Sequence, residues 1–185
     1  MKKKAVVLLA EGFEDVEAIT PIDILKRAGI EVVVAGVGGK VITGSRTKIK
    51  MAVEAEVKEI NFVPDALILP GGMPGAENLA NSQDVKKLIR AVDSKGGIIA
   101  AICASPAIIL GPMGLLDGRK ATCFPGMEEH FPAKVKFVED NVAVDGNIIT
   151  SRAPGTALEF SLKIVEALAG KEVARTVADS VVYRG

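Results

Sequence analysis

Four continuous apolar segments constrain the fold of this chain more than any other feature of its sequence. They span Lys4–Ala10 and residues 30–37, 65–72 and 96–102, and Val, Ile, Leu and Ala dominate all four. A strand that is apolar on both faces is buried on both faces, which is typical of parallel sheets covered by helices. We therefore predict an α/β protein with a mostly parallel sheet sandwiched between helices.

The segments between these strands have the periodicity of amphipathic helices. Helices are predicted at residues 14–27, 82–93, 104–110 and 157–170. Pro21 predicts a kink in the first helix, because proline removes one backbone hydrogen bond. Ser82 is predicted to cap the second helix, and Thr156 with Glu159 predicts a capping box at the start of the last one.

Shorter segments in which apolar and polar residues alternate predict additional short strands and hairpins. Residues 40–55 alternate around a glycine and predict a short antiparallel hairpin beside the sheet. Asp145 and Gly146 predict a second hairpin turn, and residues 120–124 predict an additional strand. No repeat or linker divides the chain, so we predict one domain over residues 1–185.

The charge and composition of the chain argue against several classes of function. The 23 basic residues balance the 23 acidic ones, so sequence-specific nucleic-acid binding is not expected. No run reaches the ~18 apolar residues of a membrane span, so we predict a cytoplasmic protein that does not bind membranes. Two cysteines and one histidine support neither a disulfide framework nor a zinc site, and we expect no metal and no cofactor. The acids Glu11, Glu14 and Asp15 are interpreted as solvated charges at a helix start.

Candidate functional groups follow three of the buried strands. Cys103, the glycines Gly71 and Gly72, and Glu17 each stand after a different apolar segment. Parallel strands place their carboxyl ends at one edge of the sheet, where α/β proteins bind ligands. The sequence therefore predicts that these groups meet at this edge.

Two interpretations of Cys103 stay open from the residues alone. A free cysteine is often simply a buried core residue. On a tight strand-to-helix turn, however, the helix N-terminus would favour the thiolate and give Cys103 a lowered pKa. The backbone N–H groups of Gly72 and Ala104 would then bind an oxyanion, and Glu17 with a raised pKa would exchange a proton with the sulfur.

Four motifs, in register over nearly the whole chain, resemble the ThiJ/PfpI superfamily. They read LAEGFEDVEAITPIDILKRAG, LPGGMPGAENL, AAICASPA and SRAPGTALEFSLKIVEALAGKEVA. Within this superfamily they are most similar to the branch that contains the parkinsonism-associated protein deglycase. The resemblance implies a flavodoxin-like fold with a nucleophile elbow, and it implies a homodimer.

The resemblance also implies roles for individual residues. Cys103 matches the reactive cysteine at the elbow, and Glu17 matches the glutamate that hydrogen-bonds it. Gly72 and Ala104 match the backbone donors of the oxyanion site. The remaining matches are residues of the pocket or of the dimer contact, namely Arg27, Arg46, Arg152 and Pro154.

Departures from the family pattern limit the chemistry. Phe124 replaces the histidine of the corresponding segment, so a Cys–His dyad of that kind is absent. The single histidine, His130, is predicted to be a dispensable surface residue. Ala104 stands where the intracellular-protease branch has a histidine, so peptidase activity is not expected. Cys123 is predicted to be a small core residue.

Two functions are consistent with these residues. The first is a cysteine-dependent enzyme of the glyoxalase or deglycase type, which acts on a small reactive carbonyl or a glycated protein or nucleotide. Cys103 would attack the carbonyl and Glu17 would transfer the proton. The second is a redox-responsive stress protein or chaperone, in which Cys103 oxidises to a sulfinate beside a protonated Glu17. The missing imidazole weakens the first function and does not affect the second.

Overall fold

The computed structural model describes residues 2–185, and its centre is a seven-stranded sheet. The strands are β1 (Lys4–Ala10), β2 (Glu31–Val37), β3 (Val41–Thr43), β4 (Lys50–Ala52), β5 (Ala55–Glu56), β6 (Ala66–Leu69), β7 (Ile98–Ile102), β8 (Lys120–Ala121), β9 (Lys136–Phe137), β10 (Val142–Asp145) and β11 (Ile148–Ser151). The helices are α1 (Asp15–Arg27), α2 (Gly75–Asn81), α3 (Gln83–Ser94), α4 (Ala157–Ala169) and α5 (Lys171–Ser180). Shorter helical turns are the 3-10 segments Val57–Glu59, Glu128–His130 and Pro154–Thr156, and the π-helical segment Pro106–Leu110.

The central sheet is parallel except at one edge. Its strand order is β10-β11-β7-β6-β1-β2-β5, and only the β10–β11 pair is antiparallel. In β1, every side chain from Ala5 to Ala10 is buried, as expected for a strand with helices on both faces. The mostly parallel sheet predicted from the apolar segments is confirmed.

Helices cover both faces of this sheet. Successive side chains of β1 point to opposite faces, so Val7 and Leu9 join one core while Val6 and Leu8 join the other. Helices α1, α4 and α5 pack on the first core, and α2, α3 and the π-helical segment pack on the second. The predicted sandwich of a sheet between helices is therefore confirmed. No helix within residues 2–185 is long and apolar enough to cross a membrane.

The hairpins predicted from alternating residues are present. β3 pairs with β4 in an antiparallel hairpin beside the sheet, and β10 pairs with β11 around the turn at Gly146. The strand predicted at residues 120–124 is shorter, because only Lys120–Ala121 pairs with β9. The chain then turns, and Phe124 hydrogen-bonds the segment after β7 instead.

Some local predictions were wrong or incomplete. The predicted capping box does not form, because Glu159 accepts from Asn141 Nδ2 at 3.2 Å and not from the start of α4. The Thr156 hydroxyl accepts instead from the Ala153 N–H at 3.1 Å. Ser82 caps α3 as predicted. Helix α1 includes Pro21, and the kink expected there stays a prediction. Helices α2 and α5 were not predicted.

The topology brings three connecting segments together. β1, β6 and β7 are neighbours in the sheet and parallel, so their carboxyl ends lie at the same edge. The segments that leave this edge contain Glu17, Gly71, Gly72 and Cys103. The meeting of these residues at one edge, predicted from the sequence, follows directly from this strand order.

Candidate active site

Cys103 lies on a strained turn immediately after β7. Its φ angle is +65°, in the left-handed region that residues other than glycine rarely adopt. Two backbone hydrogen bonds hold the turn: the Cys103 N–H donates to Ser151 O at 2.9 Å, and the Phe124 N–H donates to Cys103 O at 2.9 Å. A strained residue held in this way at the end of a strand has the geometry of a nucleophile elbow.

The helix after the elbow is shorter than predicted. In place of a regular α-helix over residues 104–110, the chain forms the five-residue π-helical segment Pro106–Leu110, and the Ile108 N–H donates to Ala104 O at 2.9 Å. At so short a segment the effect predicted for a helix N-terminus reduces to that of individual backbone N–H groups. The Gly72 and Ala104 N–H groups remain, and both act to lower the pKa of Cys103 by hydrogen bonding its sulfur.

Glu17 is fully buried beside Cys103. Burial raises the pKa of Glu17 from 4.5 to about 7, although hydrogen bonds from the Cys103 thiol and the Gly71 N–H act to lower it. The Gly71 N–H donates to Oε2 at 2.8 Å, whereas Oε1 has no partner of standard geometry within residues 2–185. Since Oε2 already accepts the Gly71 N–H, Oε1 is the oxygen left to carry a proton. The protonated carboxyl predicted from the sequence is therefore available near neutral pH.

The lowered pKa predicted for Cys103 is wrong in direction. Burial raises the pKa of the Cys103 thiol, and the Glu17 carboxylate raises it further through its charge and by accepting the thiol hydrogen. The hydrogen bonds from Gly72 and Ala104 oppose this increase without reversing it. A thiolate beside an ionised Glu17 is thus strongly disfavoured. The favourable route to a thiolate is transfer of the proton from Cys103 to Glu17.

The loop between β6 and α2 has room only for glycine at two positions. A Cβ on Gly71 would lie 2.7 Å from both Cys103 Cβ and Glu17 Oε2. Gly72 has a φ of +85°, and a Cβ there would lie 2.6 Å from Gly12 O. The missing side chains let the backbone N–H groups of both residues approach the thiol and the carboxyl.

Ser105, which the sequence did not single out as a functional residue, holds this loop against the elbow. Its side chain is fully buried, and its hydroxyl donates to Pro70 O at 2.6 Å. Pro70 directly precedes the two glycines of the loop, so the bond fixes their position relative to Cys103. In the sequence, Ser105 is only a small residue at a tight turn. Its role could not be predicted because its hydrogen-bond partner, Pro70, lies 35 residues away along the chain.

A cavity of about 770 Å³ opens at Cys103. The predicted site residues that line it are Cys103, Glu17, Gly72, Ala104, Arg46 and Pro154. Arg27 and Arg152 do not line it: Arg27 pairs with Asp23 at 2.7 Å on an exposed face, and Arg152 donates to Glu139 O at 3.0 Å. A dimer contact of Arg27 stays a prediction. In the described part of the chain, no three His, Cys, Asp or Glu side chains are grouped as metal ligands.

Two acids fix the β3–β4 hairpin, which carries Arg46 to the cavity. Asp15 accepts from Thr47 Oγ1 at 2.6 Å, and Glu11 accepts from the Thr43 N–H at 2.9 Å. Burial acts to raise the pKa of Asp15, but the hydrogen bonds from Thr47, together with those from backbone N–H groups, outweigh it and lower the pKa. Asp15 stands in the first turn of α1 as expected but is buried, so its interpretation as a solvated charge was wrong, whereas Glu11 is exposed as expected.

Glu14 stands at the start of α1 as expected, and in addition it lines the cavity. Its carboxylate accepts the Glu17 N–H at 2.8 Å and so caps the first turn of α1. An acid three residues before a second acid at a helix start is the signal that could have identified this cap. The bond fixes the backbone from which the Glu17 side chain projects.

The loop after β8 contains three residues singled out from the sequence. Phe124, for which the resemblance implied a histidine, lines the cavity. His130 is exposed and does not line the cavity, so its predicted surface position is confirmed. Cys123 is fully buried, and burial raises its pKa to about 12, in agreement with its predicted core position.

Comparison with known proteins assigns this arrangement to a family. The sequence model of the DJ-1/PfpI family matches residues 3–167. The chain belongs to the DJ-1/PfpI family. Protein DJ-1beta of Drosophila melanogaster is 44% identical over 183 residues, which cover 96% of each chain. The glutathione-independent glyoxalase DJR-1.2 of Caenorhabditis elegans is 37% identical over 175 residues, which cover 92% of this chain and 91% of that protein.

Solved DJ-1 structures confirm the flavodoxin-like fold. Drosophila melanogaster DJ-1beta superposes with a TM-score of 0.95 at 40% identity over 100% of both chains. Oxidized DJ-1 of Toxoplasma gondii superposes with a TM-score of 0.95 at 38% identity, over 99% of this chain and 100% of that one. The DJ-1 homolog B of Arabidopsis thaliana is 43% identical over 98% of this chain, but the match covers only 42% of that protein. The chain thus spans less than half the length of this plant relative.

Proposed function

We propose that this protein is a cofactor-independent, cysteine-dependent enzyme of the glyoxalase or deglycase type, acting on methylglyoxal, similar 2-oxoaldehydes and their glycation adducts. The observation that carries the proposal is a strained Cys103 beside a buried Glu17, whose pKa is raised to about 7, in an open cavity. Strongly shifted pKa values in a cleft are typical of catalytic groups. The Caenorhabditis elegans relative, which is named as a glyoxalase, supports the same class of reaction.

The first step forms a bond between sulfur and carbon. Cys103 passes its proton to Glu17, and the resulting thiolate attacks the aldehyde carbon. The N–H groups of Gly72 and Ala104, which hydrogen-bond the sulfur, stabilise the oxyanion that develops on the carbonyl oxygen. Glu17 then gives the proton to this oxygen, so the product is a neutral hemithioacetal beside an ionised carboxylate.

The later steps need no external oxidant or reductant. The Glu17 carboxylate takes the proton from the former aldehyde carbon, the C–H electron pair forms an enediolate, and the proton returns to the neighbouring carbon. The aldehyde carbon is thereby oxidised to a thioester, while the ketone carbon is reduced to an alcohol. Water hydrolyses the thioester, which releases lactate from methylglyoxal and restores the Cys103 thiol.

Methylglyoxal consumption and lactate formation by the purified protein test the proposal. Cys103→Ala should lower kcat/KM by at least about a thousandfold, because the nucleophile is lost. His130→Ala and Cys123→Ala are the matched controls and should keep most of the activity, since neither residue lines the cavity. Lactate formation by Cys103→Ala at the wild-type rate would refute the proposal. A hundredfold loss of kcat/KM in a folded His130→Ala variant would show that His130 acts as the base, contrary to the assignment of Glu17.

A second candidate function is that of a redox-responsive stress protein or chaperone in which Cys103 becomes a sulfinate. The Gly72 and Ala104 N–H groups and a protonated Glu17 carboxyl provide three donors beside Cys103 for sulfinate oxygens. Peroxide adds one oxygen in each of two steps, and each step releases one water molecule. One solved relative, DJ-1 of Toxoplasma gondii, is described as oxidized.

Mass spectrometry after peroxide treatment separates the two functions. Cys103 should gain two oxygens before Cys123 gains any, because Cys123 is fully buried. A signalling role also requires that the oxidised protein gains an activity, such as suppressing aggregation of a client protein, that peroxide-treated Cys103→Ala lacks. If oxidation only abolishes lactate formation, the second function is excluded.

A further inference from the structure

Apolar side chains line two sides of the cavity mouth at Cys103. Met73, on the loop before α2, is 47% exposed, and Phe124, on the loop after β8, is 42% exposed. Met127 and Pro154 extend this apolar lining. Large apolar groups that face a cavity and remain exposed to water indicate a ligand with an apolar part.

Phe124 keeps a fixed position relative to the reacting sulfur. Its N–H donates to Cys103 O at 2.9 Å, and the Met127 N–H donates to Phe124 O at 2.9 Å. The ring cannot transfer a proton, so Phe124 cannot replace a catalytic imidazole. It can stack with, or make edge contacts to, an aromatic ring of a substrate. The replacement of the family histidine therefore changes substrate contact.

The charges of Glu14 and Arg46 do not select a charged substrate. Glu14 and Arg46 both line it and carry opposite charges. The Glu14 carboxylate is already an acceptor for the Glu17 N–H at 2.8 Å. Glu17 also lines the cavity, and the charge that it shares with Cys103 disfavours an anionic substrate. Since Glu14 and Arg46 together add no net charge, apolar contact is the main difference between one neutral carbonyl substrate and another.

The cavity is also larger than a three-carbon aldehyde needs. Its volume of about 770 Å³ lies within the about 300–1,000 Å³ that sites for drug-sized ligands occupy. Methylglyoxal bound at Cys103 would leave most of the apolar lining in contact with water. A substrate with a larger apolar group would remove that surface from water, which is favourable.

We propose that this site prefers 2-oxoaldehydes whose ketone carbon carries a bulky apolar group, above all an aromatic ring. The inference rests on the proposed function and adds the substrate class to it. Phe124, Met73 and Met127 contact the apolar group while Cys103 attacks the aldehyde carbon. Atoms and electrons balance as they do for methylglyoxal. One phenylglyoxal and one water molecule give one mandelate, and no external oxidant or reductant is needed.

Initial rates with phenylglyoxal and methylglyoxal test this preference, measured before the aldehydes modify arginine side chains. The ratio of the two kcat/KM values should favour phenylglyoxal by at least about tenfold in the wild type. Phe124→Ala should lower this ratio about tenfold, and Phe124→Leu should lower it less because leucine keeps part of the apolar volume. Val144→Ala is the control, since Val144 is exposed on edge strand β10, and its ratio should equal that of the wild type.

A wild-type ratio of one or less, or a ratio that Phe124→Ala does not lower, would overturn the inference. Loss of turnover on both aldehydes would instead count against the proposed function. Calorimetry of Cys103→Ala then still tests the preference, because it needs no turnover. Mandelate should bind about tenfold more tightly than lactate, and equal affinities would overturn the preference.

Discussion

The chemistry of this site depends on one proton that Cys103 and Glu17 share. Burial raises the pKa of both groups, so just above pH 7 the pair holds a single negative charge. The Gly71 N–H favours that charge on the carboxylate, and the Gly72 N–H favours it on the sulfur. Small displacements of these backbone groups therefore shift the charge between base and nucleophile.

Glu17→Gln should change how stability depends on pH. The pKa of Glu17 is about 7 in the folded protein against an ordinary 4.5, so its stabilising contribution is complete below pH 4.5 and is lost as the pH rises through 7. This difference corresponds to about 3 kcal/mol. Glutamine does not ionise, so the free energy of unfolding of Glu17→Gln relative to wild type should increase by about 2–3 kcal/mol between about pH 4 and about pH 8.

Urea unfolding at the two pH values measures this difference. Glu77→Gln is the matched control, because Glu77 is exposed on α2, and its difference from wild type should stay constant. A pH-independent difference for Glu17→Gln would show that Glu17 is ionised at no cost in the folded protein. The raised pKa on which the mechanism depends would then be wrong.

The residues of the site were predictable from the sequence, whereas the ionisation of Cys103 was not. Cys103, Gly72 and Glu17 stand after apolar strands, so their meeting at one edge follows from a local pattern. The pKa of Cys103 depends on how far water is excluded and on the nearness of Glu17, and neither is a local property of the sequence. The backbone N–H groups of Gly72 and Ala104 do lower the pKa, as expected, but burial and Glu17 outweigh them.

At the scale of elements, one hydrogen bond joins the elbow to the loop between β6 and α2. Ser105→Ala would leave the buried Pro70 carbonyl without its partner, which costs about 1–3 kcal/mol of stability. It would also free Gly71 and Gly72 to move away from Cys103. We expect a lower kcat for methylglyoxal with a smaller change in KM, because the loop positions hydrogen-bond donors and does not hold the substrate.

Ser161→Ala is the matched control for Ser105→Ala. Ser161 is equally buried, and its hydroxyl donates to Ala157 O at 2.6 Å within α4, outside the cavity. Its kcat should equal that of the wild type. An unchanged kcat in Ser105→Ala, or an equal loss in both variants, would contradict a positioning role.

Strands and hairpins were easier to predict than helix boundaries. Their apolar segments and glycine turns are local signals, and both hairpins formed as predicted. Helix α2 was missed because it has only seven residues, and its buried residues are glycine, alanine and one leucine. The capping box failed because the Thr156 hydroxyl is within hydrogen-bond distance of Ser151 Oγ, 2.7 Å away, as well as of Ala153. The four-residue motif Thr-x-x-Glu does not show which residues outside the motif will hydrogen-bond the Thr156 hydroxyl.

At the scale of the whole molecule, an apolar face of α1 remains exposed. Val16 and Ile19 are 48% and 46% exposed, and their spacing places them on the same side of the helix. Adjacent exposed apolar side chains on a helix are typical of an interface between subunits. We therefore predict a homodimer that buries this face.

Ile19→Glu should separate the dimer, because a charge would replace an apolar contact. Sedimentation should give a mass near twice 19.3 kDa for the wild type and near 19.3 kDa for the variant. Val144→Glu is the control: Val144 is 52% exposed on β10, away from α1, and the variant should remain a dimer. A wild-type mass near that of one chain at micromolar concentration would rule out the prediction.

Alkylation of Cys103 by iodoacetamide, followed peptide by peptide against pH, tests most directly whether Glu17 takes the proton of the thiol. A coupled pair ionises in two separate steps, so the wild-type rate should rise near pH 7, stay level, and rise again only in strongly alkaline solution. Glu17→Gln should show a single rise. A single rise in the wild type that Glu17→Gln leaves unmoved would contradict the shared proton. A Cys103 that reacts only after denaturation would show that it is a core residue and not a nucleophile.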